Sequence, residues 1–274
     1  MERTLDQSQP GKTLAVFFSK GAFGDCARLS ILAAMDDERV NKIKVYSAAS
    51  TISTLHEANW KSEIKGNVDR GKELKESPNR HKVELIPFPD HSLTGSANEE
   101  FEKIVDLSGV DAVISGLGNR QIFLGDRVGT CGTKKITSLM KKKKVDRLVM
   151  MSSMGISSDI SNDKPSMEWR WEGKIMDCIF STISRREYND LVGAENEAKK
   201  SGLNYLVLRP VGLGEEVAPV GELFLQKEKH EDVLGPQISK MDVGAFMVEQ
   251  ALDPTLEKRA VVIGGNPKDA HLPM

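Results

Sequence analysis

The sequence is poor in most features that assign a function directly. It has three cysteines in 274 residues, Cys26, Cys131 and Cys178, far apart and odd in number. No Cys-x-x-Cys pair exists, so neither a zinc site nor a disulfide framework is indicated. A reducing compartment is the expected setting. The histidines, His56, His81, His91, His230 and His271, show no metal-ligand spacing. There is no Gly-x-Ser-x-Gly elbow and no Walker loop. No apolar run approaches the roughly 18 residues needed to cross a bilayer. Residues 1–12 are polar and lack the apolar centre of a signal peptide. Net charge is −2, so nothing global points to nucleic acid or an anionic membrane. The lysines at 141–144 read as a solvated helix end that complements the helix dipole. A soluble, cytoplasmic protein is expected, with an organelle address left open.

What is present begins with residues 13–35. An apolar run, Leu14-Ala15-Val16-Phe17-Phe18, leads into Ser19-Lys20-Gly21-Ala22-Phe23-Gly24-Asp25 and then into alanines and leucines at helical spacing. A buried parallel strand, a tight turn and a packed helix have this pattern. Such a turn lays a helix N-terminus beside the end of a sheet, where free N–H groups and the helix dipole favour a phosphate. Gly21 and Gly24 are expected to let the backbone approach that phosphate and let the helix lie close to the strand. An ordinary strand-to-helix turn is the competing reading.

Down the chain, further strands are expected at 42–49, 83–90, 110–118, 145–153, 203–210 and 259–264. Pro87 marks an end or bend of the third. Helices are expected at 99–107, 129–143, 187–201 and 241–252. Residues 51–80 read as a polar surface insertion with Trp60 as its packing anchor. Residues 1–12 read as a loose tail, and 13–274 as a single domain. Residues 211–240 form substrate-side loops, a small C-terminal cap on the sheet edge. Strands alternating with helices imply an α/β fold, a doubly wound parallel sheet covered on both faces. Ligands of such sheets lie outside the C-terminal strand ends. The glycine and serine pieces at 21–24, 116–118, 152–153 and 212–214 all follow strands. They therefore converge on one edge, which favours a nucleotide.

In this element order the chain resembles the atypical short-chain dehydrogenase/reductases, NAD(P)-binding proteins with a Rossmann fold. Four motifs carry the likeness: Ser19 to Gly24 as the glycine loop, Asp111 to Gly118 as the fourth strand, Arg147 to Gly155 as the fifth, and Ser201 to Pro210 before the substrate loop. Residues 235–244 resemble the biliverdin-IXβ reductase/flavin reductase branch and its NmrA-like neighbours. The resemblance implies a cofactor site built from Ser19, Lys20, Gly21, Ala22, Phe23, Gly24, Ser47, Asp90, Gly116, Leu117, Gly118, Ser152 and Pro210. Ser153 and Tyr188 are the candidate catalytic residues.

The sequence also departs from the family pattern. Phe18 stands at the first loop glycine, where a bulky side chain is expected to alter the turn and press on a bound pyrophosphate. The end of the second strand reads Ser47-Ala48-Ala49-Ser50, with neither the acid that holds an NAD ribose nor an arginine for NADP. Lys20 is either a contact to a 2′-phosphate or an exposed loop lysine. The Tyr-x-x-x-Lys pair of the wider superfamily is not reproduced: Leu191 occupies the lysine position and Tyr188 lies three residues before it. Tyr188 is either an acid or a half-buried helix residue. Asp90 is either an adenine contact or a loop cap, and Arg120 either an anion contact or a surface arginine. Ser153 is favoured as a site residue over a strand-end cap.

The resemblance implies a reductase that uses NADP, or NAD, to pass a hydride to a planar conjugated acceptor such as a flavin, quinone or tetrapyrrole. A non-catalytic NADP(H)-sensing or scaffold protein of NmrA-like type is the alternative. A small-molecule substrate is expected, with no nucleic-acid or membrane partner; the oligomeric state stays open.

Overall fold

The computed structural model describes residues 11–19, 21–49, 51–52, 77–89, 92–94, 98–118, 127–154, 156, 185–214, 223–225 and 234–266. Strand β1, Lys12–Phe18, is the axis of the sheet. It pairs in parallel with β2, Val40–Ala48, on one side and with β4, Ala112–Gly116, on the other. Strand β3, Val83–Phe88, lies outside β2. Beyond β4 come β5, Arg147–Met151, β6, Asn204–Pro210, and β10, Arg259–Gly264, all parallel. The short β8, Phe224–Leu225, runs antiparallel on the outer side of β10. The order is therefore β3-β2-β1-β4-β5-β6-β10-β8, reversing direction between β1 and β4. Two-residue strands β7, Leu213–Gly214, and β9, Ile238–Ser239, make a second small sheet.

Alternation along β1 sorts the core into two layers. Leu14, Val16 and Phe18 face one side, with helices α1, Ala22–Asp36, and α5, Lys240–Leu252. Ala15 and Phe17 face the other, with α2, Asn98–Ile104, α3, Val128–Lys143, and α4, Arg185–Ser201. Phe17 stacks on Tyr46 of β2 with ring centroids 4.7 Å apart. This is the doubly wound α/β arrangement expected from the alternating elements.

Helix ends far from the site are satisfied by distant lysines and an arginine. Lys82 Nζ donates to the carbonyls of Met35 and Asp37 at the end of α1, and Lys12 Nζ to that of Leu252 at the end of α5. Buried Arg147 donates to the Gln250 and Leu256 carbonyls. Cations there complement the negative end of each helix dipole. Burial lowers the Arg147 pKa to about 10.

Most element bounds shift from the sequence reading; β4, for one, is shorter at both ends than 110–118. Helix α2 stops at Ile104, although Val105 and Leu107 are buried. The Asp106 carboxylate accepts the Ser108 amide at 2.9 Å, a local turn that ends the helix while Val105 and Leu107 continue into the core as loop residues. Strand β5 is shorter at both ends than 145–153. Strand β3 passes through Pro87 and ends at Phe88. Proline is tolerated because β3 is an edge strand of this sheet. Among the described residues, no helix is long and apolar enough to cross a membrane.

Candidate functional site

The carboxyl ends of β1, β4, β5 and β6 share one edge, centred on the point where strand order reverses. At the first of them, Phe18 is the last residue of β1 and pairs with Gly116. Its side chain is fully buried in the core layer under α1 and α5. The expectation that it presses on a pyrophosphate is corrected: strand alternation turns it inward, and the turn starts one residue later. Its carbonyl accepts the Ser47 hydroxyl at 2.7 Å. Ser47 is itself fully buried, so it ties β2 to β1 from inside the sheet.

The turn closes on Ser19. The Ser19 hydroxyl donates to the Gly118 carbonyl at 2.5 Å and accepts the Gly118 amide at 3.0 Å. The Ser19 amide reaches the Gly116 carbonyl at 3.4 Å. The loops after β1 and β4 are thereby held together. Gly21 sits at φ 112°, a conformation open to glycine at little cost, and serves as N-cap of α1 with no side-chain cap bond. A Cβ on Gly24 would enter the Ser19 carbonyl group. The glycine is thus needed to close the turn on itself. Gly116 does the helix-packing work, since a Cβ there would lie 2.6 Å from the Ala27 Cβ of α1.

With the Asp25 amide bonded back to the Gly21 carbonyl, the Ala22, Phe23 and Gly24 amides are the α-helical N–H groups without an intrahelical acceptor. They and the helix dipole suit an anion. Asp25 in the same turn carries the opposite preference, but it is buried against Arg28 of its own helix and Lys240 of α5, the latter at 3.4 Å. Burial, reinforced by Asp25, pushes the neighbouring Cys26 thiol up, so this cysteine stays protonated.

The next strand ends form the second part of the edge. Ser152 is fully buried, and its hydroxyl donates to Glu195 Oε1 of α4 at 2.5 Å. Arg209 Nε reaches the same oxygen at 3.0 Å and Nη2 reaches Oε2 at 2.6 Å. Ser153 follows at the strand end, half-buried, with its carbonyl accepting the Ile156 amide at 3.1 Å. Pro210 is buried, and its carbonyl accepts the Met154 amide at 3.4 Å. Leu117 is buried against Gly132 of α3. Tyr188 is half-buried in the first turn of α4, and Leu191 is buried one turn on. Lys20, Asp90 and Arg120, most of the 51–80 insertion, and Trp169 and Trp171 lie outside the described residues.

The structure therefore gathers Ser19, Gly21, Phe23, Gly24, Gly116, Gly118, Ser152, Ser153 and Pro210 on adjoining strand ends. Ser47 and Leu117 act from beneath, and Tyr188 stands on α4. The sequence reading missed Glu195, Arg209 and Asp190. Their signal was available: Asp190 and Glu195 are acids inside the buried stripe Asp190-Leu191-Ala194-Glu195-Ala198, where an unpaired charge is costly. Asp190 caps α3 across the helix pair, accepting the Gly129 amide at 2.8 Å and the Thr130 amide at 2.7 Å. Burial, with Asp190 nearby, raises the pKa of Glu187.

A family model described as NAD(P)H-binding matches residues 92–254, more than half of the chain. The chain belongs to the NAD(P)H-binding family. The match begins after β3, so membership rests on the part that carries β4 to β6 and α2 to α5. No curated protein matches the chain by sequence. Solved structures of the same fold include an oxidoreductase, ylbE, from Lactococcus lactis, 16% identical over 94% of each chain with a TM-score of 0.58. A short-chain dehydrogenase/reductase from Veillonella parvula in complex with NADP is 14% identical, covers 92% of this chain and 94% of its own, and has a TM-score of 0.57. The anaerobillin reductase ChuY from Escherichia coli O157:H7 is 16% identical, with 93% and 97% covered and a TM-score of 0.56. At these identities the likeness is one of fold.

Proposed function

We propose that this member of the NAD(P)H-binding family is a reductase that takes NADPH and delivers its hydride to a planar conjugated acceptor such as a flavin, quinone or tetrapyrrole. The observation that carries the reading is the convergence of the α1 N-terminus, the Ser19–Gly118 latch and the Ser152–Pro210 strand ends on one sheet edge. The residues fit a dinucleotide. The Ala22, Phe23 and Gly24 amides offer donors to a pyrophosphate, and Arg28 and Lys240 offset the Asp25 carboxylate. At the end of β2, Ser47, Ala48 and Ala49 supply no acid to repel a 2′-phosphate, so NADPH is admitted as well as NADH. A bound reduced nicotinamide supplies the hydride. The chain's own part is to bind, orient and exclude water, with Ser153 the candidate hydrogen-bond donor to the acceptor and Tyr188 the candidate proton donor.

A second reading is a protein that binds NADP(H) without turning it over. The burial of Leu191, where the wider superfamily has its lysine, favours it. Titration calorimetry with NADPH and NADH, then absorbance of the reduced nicotinamide with flavins, quinones and tetrapyrroles added, separates the two. NADPH oxidation with one acceptor class supports the reductase. Tight binding with no oxidation across the panel supports the sensor, and failure to bind either cofactor removes both.

A further inference from the structure

Glu195 is fully buried and lies on the face of α4 that packs against the sheet. Its carboxylate ties together two neighbouring strand ends: Oε1 accepts Ser152 Oγ–H just after β5, and the two oxygens accept Arg209 of β6 through Nε and Nη2. The backbone repeats the link, with the Ser152 amide on the Leu208 carbonyl at 2.8 Å and the Met154 amide on the Pro210 carbonyl at 3.4 Å. Ser153 is therefore suspended between two anchored residues. For stability alone, two well-packed apolar side chains would serve as well as a buried ion pair, because desolvation offsets the attraction. A forked, hydrogen-bonded pair instead fixes orientation.

We infer that Glu195 is a positioning residue for the nicotinamide half of the cofactor, an inference that rests on the dinucleotide reading above. Strands β4 to β6 lie across the reversal of strand order from β2 and β3, so the two halves of a dinucleotide fall on different sides. The Ser19–Gly118 latch serves the pyrophosphate between them. Through Arg209 and Ser152, Glu195 sets the 152–154 backbone and Ser153 on the nicotinamide side.

The test compares NADPH with adenosine 2′,5′-bisphosphate, which carries only the adenine side. Calorimetry is run on wild type, Glu195→Gln, Ser152→Ala and the double variant Glu195→Leu with Arg209→Met, together with the fluorescence of bound NADPH. If the wild type takes NADH instead, NADH and ADP replace the pair. Glu195→Gln and the double variant should weaken the dinucleotide about tenfold or more while the adenine-side fragment stays within about twofold, and the nicotinamide fluorescence should shift toward that of free NADPH. Ser152→Ala should act in the same direction more weakly. The double variant keeps a packed core and so decides the matter if Glu195→Gln does not fold. Equal losses for both ligands, or no loss for either, would overturn the inference. A wild type that binds neither cofactor overturns the proposed function instead.

Discussion

The Ser19 side chain bonds both polar groups of Gly118, giving its proton to the carbonyl at 2.5 Å and taking the amide proton at 3.0 Å. Ser19 follows β1 and Gly118 follows β4, the two strands between which the sheet reverses order. One hydroxyl therefore sets the width of the crevice where a dinucleotide would lie. Ser19→Ala removes two hydrogen bonds of about 1 kcal/mol each, and NADPH should bind roughly tenfold more weakly or worse. Thermal stability should fall only modestly. Calorimetry on the variant and the wild type checks this, and an unchanged dissociation constant would show that the latch does not shape the site.

Placing a glycine at position 18, where the resemblance leads one to expect it, should harm the protein. The Phe18 side chain is fully buried in the core layer that also holds Val16, Cys26 and Ala27. Phe18→Gly loses about 3–5 kcal/mol of packing, as large-to-small core substitutions do. Chemical denaturation should show that loss, with no gain in NADPH affinity for the variant fraction that remains folded.

Asp190 holds α3 and α4 together through the Gly129 and Thr130 amides. Asp190→Asn keeps the shape but leaves one amide without an acceptor, at a cost of about 1–3 kcal/mol. The melting temperature should drop by roughly 2–4 °C per kcal/mol, measured by circular dichroism. An unchanged melting temperature would remove the cap from the account.

The acid limb of stability should carry an Asp106 contribution. The Ser108 hydroxyl and then its amide, followed by Lys44, lower its pKa from 3.8 to about 2. A carboxylate with a depressed folded-state value adds stability that is fully present above the unfolded value and is lost as pH falls through the folded one. That component should disappear between about pH 4 and pH 2, and Asp106→Asn should flatten the profile in that window. Urea midpoints measured across the range check it. An identical acid slope in both proteins would contradict the assignment.

Much of the fold was legible because buried parallel strands are apolar runs bounded by turns. The apolar run at 259–264 has the bounds of the strand it forms, and the end of the first strand at Phe18 is where its apolar run ends. Legibility failed where packing and local capping decide. Val105 and Leu107 kept helical spacing although the chain had left the helix, because the core reached them as loop residues. The two-residue strands β7, β8 and β9 are too short for a period to show. In the site, the glycine pieces marked the edge correctly, but what Gly24 and Ser47 touch depends on strand direction and on neighbours distant in sequence. Glu195 and Arg209 do not read as partners for the same reason: 14 residues, with the turn from α4 into β6, separate them.

Amide hydrogen exchange of the protein with and without NADPH tests for a dinucleotide cleft at this edge. Protection on binding should concentrate at residues 19–25, 116–118, 152–156 and 210–213, the strand ends that share the edge, while the distant turn at 106–109 stays unchanged. Protection confined to other segments, or no change at these four while NADPH is bound, would contradict a dinucleotide cleft at this edge.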